Sequence, residues 1–238
     1  MKGPLTIIKT YISLFFITIY FNITTSIKAE HNVVYTSNLS KIIIKINSTG
    51  EQNIFSSSFN NYPNSIIINN NNQLTNINSN TLSLNDPFNT IELIWENDLT
   101  NCEKMFSQCD KIIEIDLSQF NGANVLKYNN MFEDCFSLTS IIISNLNTSS
   151  ANTMSYMFLN CSKIISLDLS SFNTHLVTKM ELMFSGCKSL KYLNVSNFDT
   201  SKVKNMTLMF NDCRELKSLD LSNFYTPSLL YEFHILWM

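Results

Sequence analysis

The feature that most constrains this chain is a repeat of 26 residues. A cysteine recurs at that interval without insertion, and a Met-Phe pair recurs with it, as at Met131-Phe132 and Met157-Phe158. A serine and a large apolar residue form two further columns of the same period. Because the columns agree from residue 99 to residue 226, this part of the chain must fold as copies of one unit. The cysteines are Cys109, Cys135, Cys161, Cys187 and Cys213.

Each unit divides into two patterns of different period. In the copy from Thr200 to Phe224, five apolar residues have the spacing of one face of an α-helix, and Thr200 or Ser201 is placed as its N-cap. A Leu-x-x-Leu-x-Leu pattern follows, and its period of two predicts a short strand. The residues of the predicted helix face are Val203, Met206, Met209, Phe210 and Cys213.

A unit of this size cannot bury its apolar face alone, so consecutive units must stack. We therefore predict an α/β fold, a leucine-rich-repeat-type solenoid with one helix and one short parallel strand per 26-residue coil. Five coils would occupy residues 96–228, and residues 229–238 would form a degenerate or truncated sixth coil. Truncation is favoured because capping units are normally polar on their outer face, whereas Leu236-Trp-Met238 is not.

The same runs carry a family resemblance. The segment from Leu193 to Val203, followed by Asn205 to Phe210 and by Cys213, resembles the BspA-like leucine-rich-repeat surface proteins. That family includes the repeat of mycoplasma surface lipoproteins and large protist families. The resemblance covers residues 91–228 and implies a secreted or cell-surface protein, in some members associated with adhesion to host or neighbouring cells. It implies no catalytic residues and no cofactor. The signal region lacks a lipobox cysteine, which departs from bacterial lipoproteins.

Residues before the repeats predict two further segments. Lys2 and Lys9 precede an apolar run that ends at residue 21, and polar residues continue to Ala29, as in a secretory signal peptide at 1–29. The run is shorter than a membrane span requires, and a signal anchor is the alternative. Residues 30–95 do not fit the repeat and predict a small β-rich N-terminal cap, with strands at 41–46 and 65–68.

Composition and charge argue against some classes of partner. A net charge of −3 with 15% charged residues argues against a basic surface for nucleic acid or anionic membrane. Apart from a signal anchor, no stretch is long and apolar enough to span a bilayer. If the chain is secreted, its Asn-x-Ser/Thr sequons become candidate glycosylation sites. They are Asn38, Asn47, Asn147, Asn160, Asn194 and Asn205.

The repeated cysteines and serines could form disulfide bonds, a metal site or a catalytic site, but their spacing and the neighbouring residues argue against each of these. Stacked units place equivalent cysteines too far apart for disulfides, so a ladder of buried thiols is favoured over disulfide bonds. No C-x-x-C motif is present and the three histidines are isolated, so we predict no metal site. The serine column from Ser118 to Ser222 lacks a G-x-S-x-G motif and a repeated base. We therefore expect no enzyme activity and no cofactor.

The strand residues that point away from the core are the best binding candidates, because stacked repeats commonly use their concave face for partners. The surface is acidic and rich in hydroxyl groups. A fully solvated face without a partner is the alternative, and a calcium site between alternate carboxylates is a weaker one. The predicted binding residues are Glu114, Asp116, Ser140, Ser166, Asp168, Tyr192, Asn194, Ser218 and Asp220.

These observations predict a secreted or cell-surface protein that binds a protein or a glycan on another cell or matrix, in adhesion or a similar interaction. The alternative is a structural or coat component without a specific ligand. Such a component would self-associate through its C-terminal edge.

Overall fold

A computed structural model describes residues 39–228, which form ten β-strands. The predicted signal peptide at 1–29 and the predicted sixth coil at 229–238 lie outside the described residues. Within residues 39–228, no helix could cross a membrane. The strands are β1 (Ser40–Ile46), β2 (Gly50–Asn53), β3 (Ser65–Ile68), β4 (Asn72–Thr75), β5 (Thr81–Leu84), β6 (Asn89–Trp95), β7 (Ile112–Gln119), β8 (Ser140–Ile142), β9 (Ser166–Asp168) and β10 (Tyr192–Asn194).

The largest sheet joins the N-terminal strands to the first repeats, in the order β4-β3-β6-β1-β7-β8. Strand β1 pairs antiparallel with both β6 and β7. Its residues alternate in burial, with Ile42, Ile44 and Ile46 fully buried, as a half-buried strand requires. The strands predicted at 41–46 and 65–68 are therefore present as β1 and β3. Because β7 belongs to the first repeat, the N-terminal strands and the repeats share one sheet.

Consecutive repeats lie side by side, one period apart. Strand β7 pairs parallel with β8, and β9 pairs parallel with β10, with Ser166 opposite Tyr192. Away from these strands, single parallel bridges join each repeat to the next. We call this line of bridges the bridge ladder, and its residues are Asn101, Lys127, Thr153, Lys179 and Asn205.

The helix predicted for each repeat is wrong, and so is the α/β leucine-rich-repeat solenoid built on it. Residues 39–228 contain no α-helix. They form β-sheets, with both parallel and antiparallel strand pairs. The residues expected on the helix face are buried, but they lie in consecutive tight turns. Those residues, in the last copy, are Val203, Met206, Met209, Phe210 and Cys213.

Hydrogen bonding shows why the turns replace a helix. An α-helix bonds each amide to the carbonyl four residues earlier. Here the amide of Met105 donates to Cys102, three residues earlier, while the amide of Phe106 donates to Met131 in the next repeat. Alternate amides follow this rule through the turns of the repeats. Two residues per repeat also have left-handed backbones, such as Lys104 (φ 59°) and Gln108 (φ 64°), and these interrupt a right-handed helix.

Aromatic stacking fills the core at the same interval. The rings of Phe106 and Phe132 lie 6.0 Å apart with nearly parallel planes, and equivalent pairs continue through Phe210. Phe55, which lies outside the repeats, stacks on Phe106 at 6.0 Å and extends the series towards the N-terminus. A second stack joins Phe172, Phe198 and Phe224. Offset or parallel aromatic pairs add stability beyond their buried area.

One repeat departs from the others at a buried position. Thr174 Oγ1 donates to the carbonyl of Asp199 in the next repeat, and Thr148 and Thr200 make equivalent bonds. The first repeat has Gly122 at this position. There the hydroxyl of Tyr128 donates to the carbonyl of Gly122, at a position where later repeats have methionine. The tyrosine hydroxyl thus occupies the space of the missing threonine.

We expect Gly122→Thr to destabilise the protein, because a Cβ at Gly122 would lie 2.5 Å from the Tyr128 hydroxyl oxygen. Overpacking of this kind costs about 1–3 kcal/mol. Adding Tyr128→Met, which copies the later repeats, should recover only the part of that loss that comes from the tyrosine, because the Asn147 carbonyl oxygen also lies 2.5 Å from the added Cβ. Denaturant unfolding of both single variants and the double variant measures the coupling, expected at about 1–2 kcal/mol. Additive effects would show that the two side chains do not compete for one space.

The cysteines form a ladder of buried thiols. All six are free and buried, and four of them donate to a phenylalanine carbonyl in the preceding repeat, as Cys161 Sγ does to Phe132 at 3.0 Å. Burial raises the pKa of the Cys161 thiol well above its ordinary value. It raises the pKa of Cys213 to about 12. Neutral thiols are the form that such a core retains, because a thiolate would have to be desolvated.

Native protein should therefore resist alkylation by iodoacetamide at pH 8, since the thiolate is the reacting form and each sulfur is shielded from solvent. Mass spectrometry should find no rapid labelling before unfolding and six alkylated cysteines in denaturant. Rapid labelling of any cysteine in the native state would contradict the packing of that repeat. Fewer than six labels after unfolding without reductant would indicate a disulfide.

Candidate functional site

The residues predicted for the binding surface lie on β7–β10 and, for Ser218 and Asp220, in the equivalent segment of the last repeat, where the predicted strand is absent; we call this surface the strand face. Its side chains alternate with buried ones such as Leu167 and Leu169, as the period of two requires. Tyr192 is the most exposed large residue, at 70%. Glu114 and Asp116 are half-buried, and the exposed members are Ser140, Ser166, Asp168, Tyr192, Asn194, Ser218 and Asp220.

Five of these residues surround one open groove of about 280 Å³. The groove crosses the parallel pair β9–β10, which brings equivalent positions of neighbouring repeats together. Lys191 adds a cation to this groove. The period of two did not predict it, because it lies one residue before Tyr192 and therefore at a position expected to face the core. The predicted residues that line the groove are Ser166, Asp168, Tyr192, Asn194 and Ser218. Asp220 is not among them.

A second groove brings together Glu114, Asp116 and Ser140. Its other wall comes from β1, where Lys45 Nζ lies 2.6 Å from Glu114 Oε2. This ion pair neutralises part of the acidic surface expected from the repeats. No sequence pattern indicates this ion pair, because β1 lies outside the 26-residue repeat and its pairing with β7 is antiparallel.

The strand-face aspartates also hold the backbone. Asp168 Oδ1 accepts a hydrogen bond from the amide of Ser170 at 3.0 Å, and Asp116, Asn194 and Asp220 make the same turn. The Ser170 hydroxyl and amide lower the pKa of the Asp168 carboxyl. Asp168 is therefore committed to this Asx turn, and its carboxylate also accepts hydrogen bonds from the side chains of Ser170 and Asn194.

We expect Asp168→Ala to lower the Tm by about 2 °C at pH 7, because the turn loses its acceptor. Asp168→Asn should leave the Tm close to that of the parent, since Asn194 makes the same turn. When a carboxyl has a lower pKa in the folded state than in the unfolded state, its charge stabilises the fold at pH values above the unfolded pKa. This stabilisation is lost as the pH falls through the folded pKa. The Tm difference between the parent and Asp168→Ala should therefore shrink below about pH 3 without closing, because a neutral carboxyl still accepts the hydrogen bond as asparagine does. A Tm difference between the parent and Asp168→Ala that does not change with pH would show that the carboxylate charge does not stabilise the turn.

The candidate glycosylation sites differ in accessibility. Asn160 Nδ2 donates to Asp134 Oδ1 at 2.8 Å, and Asn205 Nδ2 donates to Glu181. A glycan is attached through this nitrogen, so modification there would displace a hydrogen bond between repeats. Asn38 lies outside the described residues, and the exposed sequon residues are Asn47, Asn147 and Asn194.

Residues 39–228 hold no group of three or more histidine, cysteine or acidic side chains placed to bind a metal ion. The single histidine in this range, His175, pairs its ring nitrogen with Asn173 Oδ1 at 2.7 Å. The strand face therefore offers hydroxyl, amide and carboxylate groups around an exposed aromatic ring. These groups suit hydrogen bonding and stacking with a partner.

Comparison with known proteins identifies a family. The family model described as "Mycoplasma protein of unknown function, DUF285" matches residues 100–224, which is slightly more than half of the chain. No curated protein and no solved structure matches the chain. The matched range contains the repeated cysteines and the whole strand face.

Proposed function

This chain belongs to the DUF285 family of mycoplasma proteins of unknown function, and from that premise we propose that it is a secreted or cell-surface binding protein. The strand face would hold a protein or a glycan of another cell or matrix, in adhesion or a similar interaction. The sequence resemblance to BspA-like surface proteins supports this proposal, as does the signal-peptide pattern at 1–29.

The observation that carries the proposal is the exposed ring of Tyr192 in the middle of the β9–β10 groove. A side chain of this size at 70% exposure is costly to hydrate, and tyrosine is enriched at binding hot spots. The same position in the neighbouring repeats is serine, at Ser166 and Ser218. The tyrosine is therefore not needed by the repeat itself, because β8 and β9, which have Ser140 and Ser166 at this position, also form parallel pairs.

Polar groups around Tyr192 suit a partner that offers hydrogen bonds. Asp168 and Lys191 place opposite charges in one groove, and Asn194 adds an amide. This mixture favours a protein surface or a glycan over nucleic acid, whose phosphates require an excess of positive charge. The function we propose is non-catalytic and uses no cofactor.

The test is binding of the fluorescently labelled full-length protein to cultured epithelial cells, measured by flow cytometry. Tyr192→Ser copies the neighbouring repeats and should preserve the fold. We expect it to weaken cell binding about tenfold, because a hot-spot aromatic is lost. Light scattering on the same samples should show a monomer at the concentrations used.

A matched control is Tyr225→Ser, which removes another exposed tyrosine, 68% exposed, outside the strand face. This variant should bind cells as the parent does. Equal loss of binding in both variants would indicate nonspecific aromatic adhesion. Concentration-dependent assembly of the parent, without cell binding, would overturn the proposal and favour the structural or coat component.

A further inference from the structure

Charged residues of the last two repeats are arranged differently from those of the others. Between residues 99 and 226, only two positions of the repeat carry the same charge in consecutive copies, and both occur in these two repeats. Lys188 and Arg214 directly follow the buried cysteines, and Lys191 and Lys217 lie three residues further on. All four side chains are exposed. We call these four residues the cation cluster.

The stacking of the repeats brings the members of the cluster together. Cys213 Sγ donates to the carbonyl of Phe184 in the preceding repeat, as the other cysteines do. Ser218, which directly follows Lys217, lines the same groove as Lys191. The last repeat therefore keeps the register of its neighbour through this segment, and equivalent cations lie side by side.

One pair of cations is partly neutralised within the protein. Asp212 Oδ2 lies 3.7 Å from Lys188 Nζ, and Asp212 Oδ1 lies 2.5 Å from Arg214 Nε. A single carboxylate thus lies between two positive charges, which reduces the repulsion between them without balancing both.

The second pair has no such compensation. Like charges opposite each other on neighbouring strands destabilise a sheet, and neither Lys191 nor Lys217 forms an ion pair with any of residues 39–228. The repeat itself does not require a cation at this position, since the earlier copies have an uncharged residue there. Those residues are Ile113, Thr139 and Ile165.

An open groove of about 490 Å³ runs beside the cluster. Lys163 and Lys191 line it, together with the hydroxyl residues Thr139 and Ser189, and Glu215 is the one acid among its lining residues. Lys163 raises the number of cations on this surface to five, whereas Glu215 and the aspartate described above are its acids. A local excess of positive charge therefore exists in a chain whose net charge is −3.

The backbone of this surface is already paired between repeats. The amides of Lys191 and Tyr192 both donate to the carbonyl of Ile165, and the amide of Thr139 donates to Ile113. A peptide that binds by adding a strand needs an unpaired edge, and these amides do not provide one. The groove also has a single aliphatic lining residue, which gives little hold for a lipid chain or for apolar anchors of a peptide.

The remaining chemistry identifies the partner. Exposed cations beside hydroxyl groups match a polymer that carries both anionic groups and hydroxyls, and the exposed ring of Tyr192 next to Lys191 provides a face on which a sugar can stack. Asp168 lines a groove with Lys191 and would repel a continuous phosphate backbone. We propose that the cation cluster binds an anionic polysaccharide, which carries sulfate or carboxylate groups. This inference rests on the proposed function and specifies its partner, because Lys191 lines both the strand-face groove and the groove beside the cluster.

The experiment measures binding of the full-length protein to heparin, which is sulfated, to hyaluronan, which is carboxylated, and to neutral dextran, by surface plasmon resonance. We expect binding to heparin or hyaluronan, and the arm that binds identifies the anionic group. Added salt should weaken this binding, because exposed charges are screened. Dextran should not bind, and single-stranded DNA or polyglutamate at equal charge should not displace the polysaccharide. Failure of both anionic arms, salt-independent binding, or displacement by DNA or polyglutamate would overturn the inference.

A double variant tests the uncompensated pair. Lys191→Thr with Lys217→Thr copies Thr139 of the second repeat and should weaken polysaccharide binding by about tenfold or more, because two desolvated charge contacts are lost. Its Tm should stay level or rise, since like charges no longer lie side by side. A lower Tm with unchanged affinity would show that the lysines are structural and would contradict the inference.

A matched control removes the same charge from another surface. Lys202 and Lys204 are exposed, and Lys202→Ser with Lys204→Thr copies the serine and threonine that earlier repeats have at these positions. This variant should bind the polysaccharide as the parent does. Equal weakening in both double variants would show that binding follows net charge alone, and the cluster would then not be a site.

Cell binding distinguishes a failure of this inference from a failure of the proposed function. If neither anionic polysaccharide binds, but the parent still binds cells in a manner that depends on Tyr192, the proposed function stands and the inference is wrong. If the polysaccharide binds through the cluster but the parent does not bind cells, the site exists and the adhesive function is wrong.

Discussion

The amides of Cys102, Lys104 and Phe106 donate to carbonyls 25 residues further along the chain. This pairing is the constraint on which the other contacts depend. Within one repeat, the turns satisfy only alternate amides, and a buried amide without a partner is strongly disfavoured. A repeat can therefore bury its turn segment only when another strand of backbone lies beside it. Stacking in this protein is a requirement of hydrogen bonding as well as of apolar burial.

The side-chain columns follow from that backbone register. Once neighbouring repeats are fixed one period apart, each phenylalanine of the Met-Phe column meets an identical ring, and the cysteines from Cys135 to Cys213 each meet a carbonyl of the preceding repeat. Each position of the repeat then tolerates only side chains that can pack against the equivalent side chains of the neighbouring repeats. Gly122 and Tyr128 show that a column can change when two positions change together, because the tyrosine hydroxyl donates to the carbonyl of Asn147, whose equivalents accept from threonine in later repeats.

The sequence predicted the repeat, its buried columns and the strands of four repeats, because those depend on periodicity, but the strand predicted from Leu216 to Leu221 in the last copy is absent. Tyr192 and Asp168 could be placed on one exposed face from the period of two. The helix could not be excluded, because successive three-residue turns bury the same positions, such as Met206, Met209 and Phe210, that a helix would bury. Left-handed backbones at residues such as Leu208 have no marker in the sequence.

Some residues near the candidate sites could not be predicted, because their contacts do not follow the repeat. Lys45 joins the strand face through antiparallel pairing with β7, a contact outside the repeat frame. Ser155 is polar and sits where a helix would present a solvated surface, whereas the turns bury it. A single sequence identifies what repeats. It does not identify which buried hydroxyl of residues 39–228 lacks a hydrogen-bond partner, as that of Ser155 does, because that depends on its three-dimensional neighbours.

The uninterrupted register also limits how such a chain can change in length. Insertion or loss of one complete period would preserve every stack and every amide pairing on both sides of the junction. Any other number of residues would shift phenylalanine against polar residues throughout the neighbouring interface. Recombination between copies of the coding sequence therefore offers a viable path to longer or shorter arrays, each with a different number of exposed grooves. Surface area available to partners would then vary in discrete steps among related proteins.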